Sequence, residues 1–113
     1  MKFMTVKLAQ IPVISEGDTE VGVVDFTDKL DSSELLTGTP TVVESGTSAL
    51  TLGNKQVNAA TVVTEWATVA IGKAVLFSVS GQFPGVIYEL IVTASTDATI
   101  ARTLRRIVKF SVE

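Results

Sequence analysis

The chain has 113 residues, 46% of them hydrophobic and 19% charged, with a mean hydropathy of +0.43. That length suits one domain with its own core, and the apolar excess leaves surface for a partner to cover. The absence of cysteine and histidine excludes disulfides, thiolate and imidazole metal ligands, and the commonest general base.

The net charge of −3 is unevenly spread. Residues 16–34 carry Glu16, Asp18, Glu20, Asp25, Asp28, Asp31 and Glu34 against the single Lys29, while residues 102–109 carry Arg102, Arg105, Arg106 and Lys109 with no acid. Either the two segments face one another within the molecule or simply solvate two surfaces, or they meet across copies or on a charged partner. Four cations against an acidic remainder do not make the concentrated basic face that nucleic acid requires, so no nucleic-acid partner is expected. No apolar run approaches the roughly 20 residues of a membrane span. Lys7 and Gln10 interrupt the apolar N-terminal stretch, which reads as an ordered strand and not as a signal peptide.

Thr, Val and Ile are abundant, and Gly or Asn punctuates them at intervals suited to an all-β sandwich. In chain order, Thr5–Leu8 reads as an entry strand. Pro12–Asp18 reads as a loop or edge strand, because Pro12 has no N–H to give a ladder. Val21–Thr27 is a strand. Asp28–Leu36 is a short helical turn or irregular loop, with Asp28 or Asp31 to cap it. Thr39–Glu44 and Ser48–Leu52 are strands, Gly53-Asn54 is a turn, and Gln56–Ala67 is a longer strand with a break near its middle. Ala70–Lys73 turns the chain. Ala74–Ser80 and Val86–Ser95 are strands, Thr96–Thr99 a turn, and Arg102–Val112 the last strand. Residues 1–113 thus form one domain, with 1–12 as an N-terminal arm or edge strand.

Strand alternation then assigns faces. Tyr88, Leu90, Val92 and Ala94 share one face, with Glu89, Ile91, Thr93 and Ser95 on the other. Leu104, Val108, Phe110 and Val112 share a face that Arg106 interrupts, with Arg105, Ile107, Lys109 and Ser111 opposite. Ile91 and Ile107 thereby fall on the solvent side. They are either two ordinary exposed residues or neighbours on paired strands that form a contact patch.

A tyrosine just inside a strand that follows Phe83-Pro84-Gly85 has the shape of the tyrosine corner of immunoglobulin-like sandwiches. Its ring would pack in the core and its hydroxyl would reach Gln82, Phe83 or Pro84. Trp66 sits about two strands earlier, where such sandwiches place a core aromatic. The expected fold is an immunoglobulin- or fibronectin-III-like β-sandwich of about seven or eight strands. Its core holds Trp66, Phe77, Tyr88, Leu90, Val92, Val108 and Phe110.

Sequence patterns for catalysis are missing. No histidine accompanies the serines and threonines, and no lysine stands at a spacing that makes a Ser-Lys dyad. Glu16, Asp18 and Glu20 alternate along a strand or loop, and Asp25, Asp28 and Asp31, spaced as tightly, have no EF-type glycine among them; both groups read as a solvated acidic rim. SEGDTEVG and SGTSALTLG lack the Gly-Lys-Ser/Thr ending of a phosphate loop. No enzyme, cofactor or metal is expected.

One further pattern spans residues 20–112. Asp25, Phe26, Thr27 and Leu30 are followed by Leu36-Thr37-Gly38 and Val42. Ser80-Gly81, Gly85, Tyr88, Leu90, Val92, Thr93 and Thr96 then precede a final strand that carries arginine. The order resembles a family of small tailed-phage virion proteins, the fibre-tail adaptors of immunoglobulin-like fold. Where that family often has Trp after the Asp segment, this chain has Phe26. The resemblance implies a structural protein of the virion, assembled in the host cytoplasm. It would bridge tail and fibre or spike components through contacts with other virion proteins and with copies of itself. The expected interface is Ile91, Arg105, Ile107 and Lys109. A capsid cement or decoration protein is the alternative within the particle. A ligand- or carbohydrate-binding module of immunoglobulin type is the alternative of another class, and a chain whose Trp66 and Tyr88 both read as internal offers it few aromatic platforms.

Overall fold

The computed structural model describes residues 3–6, 9–12, 19–46, 50–64, 67–81 and 86–111, with backbone alone for 3–6, 9–12 and 111. Ten strands follow in order: β1 (Phe3–Val6), β2 (Ala9–Pro12), β3 (Glu20–Asp25), β4 (Leu36–Ser45), β5 (Thr51–Val57), β6 (Val62–Val63), β7 (Thr68–Val69), β8 (Ala74–Ser80), β9 (Ile87–Thr96) and β10 (Thr103–Ser111). A 3-10 turn at Thr27–Lys29 is the only helical piece among the described residues.

The strands build a five-stranded sheet in the order β1-β2-β3-β8-β5, a three-stranded sheet β10-β9-β4, and the small hairpin β6-β7, all antiparallel. The order β2-β3-β8-β5 facing β10-β9-β4 reproduces the A-B-E-D and G-F-C sheets of a constant-type immunoglobulin sandwich. β1 adds an outer strand beside the first, and the β6-β7 hairpin is an insertion between the strands in positions D and E. Tyr88 lies near the start of the strand in position F, where a tyrosine corner belongs.

The two inner faces meet in one core of Val24, Phe26, Leu36, Val42, Val75, Phe77, Val79, Tyr88, Leu90, Val92, Ala94, Val108 and Phe110. All but Phe26, which follows the end of β3, come from the inward parity of a strand, as period-two alternation demands. Tyr88 and Phe110 are direct cross-strand partners with ring centroids 5.5 Å apart. Phe77 comes so close to Gly22 that a Cβ there would stand 2.4 Å from its ring, which explains a glycine in the middle of β3. Trp66 and the expected hydroxyl partners Gln82, Phe83 and Pro84 lie outside the described residues.

Several local expectations need correction. Gly53-Asn54 is not a turn: it lies inside β5, where the register with β8 slips by one residue and Asn54 adopts φ 50. The dipeptide chemistry that makes turns also makes a β-bulge, in which one extra residue is accommodated without reversing the chain. Ser48–Leu52 therefore does not end at Leu52, since the strand runs Thr51–Val57.

Gln56–Ala67 is not one strand. β5 ends at Val57, and Asn58 turns the chain into the hairpin. β4 is longer than Thr39–Glu44, and its pairing with β9 shifts between Thr37 and Thr41. Gly38 at φ 73 and Pro40, which lacks a ladder donor, occupy that irregular stretch. No side chain caps the 3-10 turn. Asp25 instead accepts the N–H and hydroxyl of Thr27 through one oxygen at 2.8 and 2.6 Å.

Candidate functional site

The acidic and basic segments meet within the molecule. Arg102 leads into β10, and Glu34 ends the loop that follows the 3-10 turn. The Arg102 guanidinium donates to both carboxylate oxygens of Glu34, through Nε at 3.1 Å and through a closer Nη2 contact. Nη2 also donates to the Lys29 carbonyl at 2.8 Å. Glu34 accepts the Asp31 N–H as well. These donors, Arg102 first, hold the Glu34 carboxyl down at about 2 from an ordinary 4.5, against the opposing effect of burial. Glu34 raises the Arg102 guanidinium in turn.

Arg106 interrupts the apolar side of β10 because its guanidinium has two partners there. It pairs with Asp28 at 2.7 Å and lies 5.6 Å from the centre of the Phe26 ring. Lys29 Nζ donates to the Arg105 carbonyl at 2.8 Å. The expected acidic rim is thus only partly solvated: Asp25 is buried and holds Thr27, and Asp28 pairs with Arg106, while Glu34 of the same acidic segment is buried as well. Glu16 and Asp18 lie outside the described residues.

A second polar centre had no sequence signal. Asn58 is buried, and its side chain makes four hydrogen bonds to backbone. Nδ2 donates to the carbonyls of Ala60 and Ala70, and Oδ1 accepts the N–H groups of Lys73 and Ala74, all between 2.9 and 3.1 Å. It thereby satisfies the backbone at the root of the β6-β7 insertion, where no ladder can. The sequence puts Asn58 inside the expected Gln56–Ala67 strand, and only the fold reveals it as a hub.

With these cations tied down, the outer face of the three-stranded sheet is set by parity alone. Register places Val43, Ile91 and Ile107 side by side across β4, β9 and β10. Val43 is 54% exposed and Ile107 48%, with Ile91 half-buried between them. One adjacent row is Thr41, Thr93 and Arg105, and the other is Ser45, Glu89 and Lys109. Lys109 Nζ stands 3.6 Å from Glu89. Ile87, exposed, lies further along β9, beyond the Glu89–Lys109 row.

Of the expected interface residues, the structure puts all four on this face, and Ile91 and Ile107 are direct cross-strand partners. Sequence reasoning missed Val43 and Ile87. Val42 and Val43 are adjacent, and without the register of β4 nothing says which one points outward.

The outer side of the five-stranded sheet carries a cleft of about 340 Å³ lined by Val21, Asn54, Gln56, Leu76, Phe77 and Ser78. Its polar groups are amides and a hydroxyl, with no ionisable side chain among them. No group of three acids, histidines or cysteines among the described residues is arranged to hold a metal ion. No helix among them is long and apolar enough to cross a membrane. No family model, no curated protein and no solved structure matches the chain.

Proposed function

We infer that the chain is a non-enzymatic structural protein of a tailed-phage particle. It bridges tail and fibre or spike components through contacts with other virion proteins and with copies of itself, and the outer face of the three-stranded sheet is one of its contact surfaces. The observation that carries this reading is the apolar row Val43–Ile91–Ile107, which lies on the side of the sheet that folding leaves open. Supporting it is the pattern in residues 20–112 that resembles the fibre-tail adaptors. A surface of this kind serves an assembly that buries it by symmetry.

The test is quantitative mass spectrometry on density-purified particles from the source of the chain. A low copy number, set by the rotational symmetry of a tail, is the expected result. A count comparable to the major capsid protein would make the chain a cement protein, and its absence from particles would sink both placements.

A further inference from the structure

We propose that the outer face of the three-stranded sheet pairs with the same face of a second copy, about a two-fold axis running along β9. The inference rests on the reading of this face as the docking surface and adds the partner and the geometry.

Two facing sheets related by a two-fold axis in their common plane have two aligned arrangements. An axis across the strands lays each strand on its own counterpart and reverses the order of the rows. Arg105 of one copy then stands over Lys109 of the other, so cations meet at both ends of the contact. An axis along β9 keeps the rows in order and lays β4 on β10. Ile91 then meets Ile91, and Val43 meets Ile107. Arg105 and Lys109 lie over the hydroxyls of Thr41 and Ser45, which accept from cations. The only like charges in opposition are the two Glu89 carboxylates. Each has its own Lys109 beside it, and the roughly 30° rotation between packed sheets moves them apart. Of the two arrangements, only this one lays the cationic edge at β10 on the hydroxyl edge at β4.

Three strands about 4.8 Å apart and about 30 Å long present on the order of 400 Å² per copy. That is about half of the roughly 800 Å² per partner found in stable complexes. The free pair is therefore weak, and gains strength where copies are held at high local concentration.

The full chain has no cysteine, so single substitutions report the geometry cleanly. Facing sheets stand about 10 Å apart, beyond disulfide reach, so a short bismaleimide is the probe. Ile91→Cys is expected to give a linked dimer by itself. Val43→Cys and Ile107→Cys are expected to link when mixed and not alone, and adding Ile107→Asp to Ile91→Cys is expected to abolish linkage while the circular dichroism stays native. Self-linkage of Val43→Cys and of Ile107→Cys would overturn the axis. A monomer in sedimentation velocity at several hundred micromolar, with no linkage at position 91, would overturn the pairing. A monomer that is nevertheless present at low copy in particles leaves the adaptor reading standing while this one fails. A linked dimer absent from particles does the reverse.

Discussion

The two sides of the three-stranded sheet are built from the same kinds of residue and meet opposite fates. Inward go Val42, Tyr88, Leu90, Val92, Val108 and Phe110, all of them buried. Outward, one residue along each strand, go Val43, Ile91 and Ile107, two of them about half exposed. Composition does not separate the sets; strand parity does. The inner side is explained by folding. The outer row is set by register and parity, and it is the surface on which the proposed contacts rest.

Substitutions on the two sides should therefore behave differently. Tyr88→Ala, on the inner side, is expected to cost about 3–5 kcal/mol, as for other large aromatic truncations in cores, read from urea unfolding. An unchanged midpoint would remove Tyr88 from the core. Gly22→Ala probes the same interior from the facing sheet with a single methyl group. The Phe77 ring must move to admit it, and overpacking of this kind costs about 1–3 kcal/mol. A gain in stability there would mean that the ring has room to shift.

The charged end of β10 adds a pH dependence. Glu34 is held at about 2 when folded and has an ordinary value of 4.5. The stability it gives is complete above 4.5 and is lost as the pH falls from there toward 2. Glu34→Gln is expected to flatten the decline of melting temperature across that window, and an identical acid limb in the variant would assign the loss to other carboxylates. The smallest effect belongs to the outer side: Ile107→Asp is expected to shift stability by no more than about 0.5 kcal/mol, the range for surface changes. Loss of folded signal in circular dichroism would show that the parity of β10 is inverted.

The last three long strands were legible because their period is regular and their limits are chemical. Ala74–Ser80 coincides with β8, and β9 and β10 lie within one residue or so of the segments drawn from alternation. The middle of the chain was not legible. Bulges at Gly38–Pro40 and Asn54 shift register without ending a strand, and glycine, proline and asparagine read as turns in either case. Asn58 and Glu34 could not be found from sequence, since their partners are backbone groups and an arginine up to 68 residues away. The Ile91–Ile107 neighbourhood was one of two readings open to the sequence, and pairing of the final two strands decided it. Val43 completes the row only once the register of β4 past its bulge is known.

The contact of Lys29 with the Arg105 carbonyl has one more consequence. β10 is the outermost strand of its sheet, and residue 102 bonds to residue 96 across the ladder. By alternation the Arg105 carbonyl points away from β9, toward the unpaired border of the sheet, which β1 approaches. An ammonium group sits on it. Any incoming chain that tried to lengthen the sheet from that border would have to displace a cation and meet Arg105 and Lys109 as it arrived. Addition of a further strand past β10 is thereby disfavoured, and this border is guarded against edge-to-edge pairing.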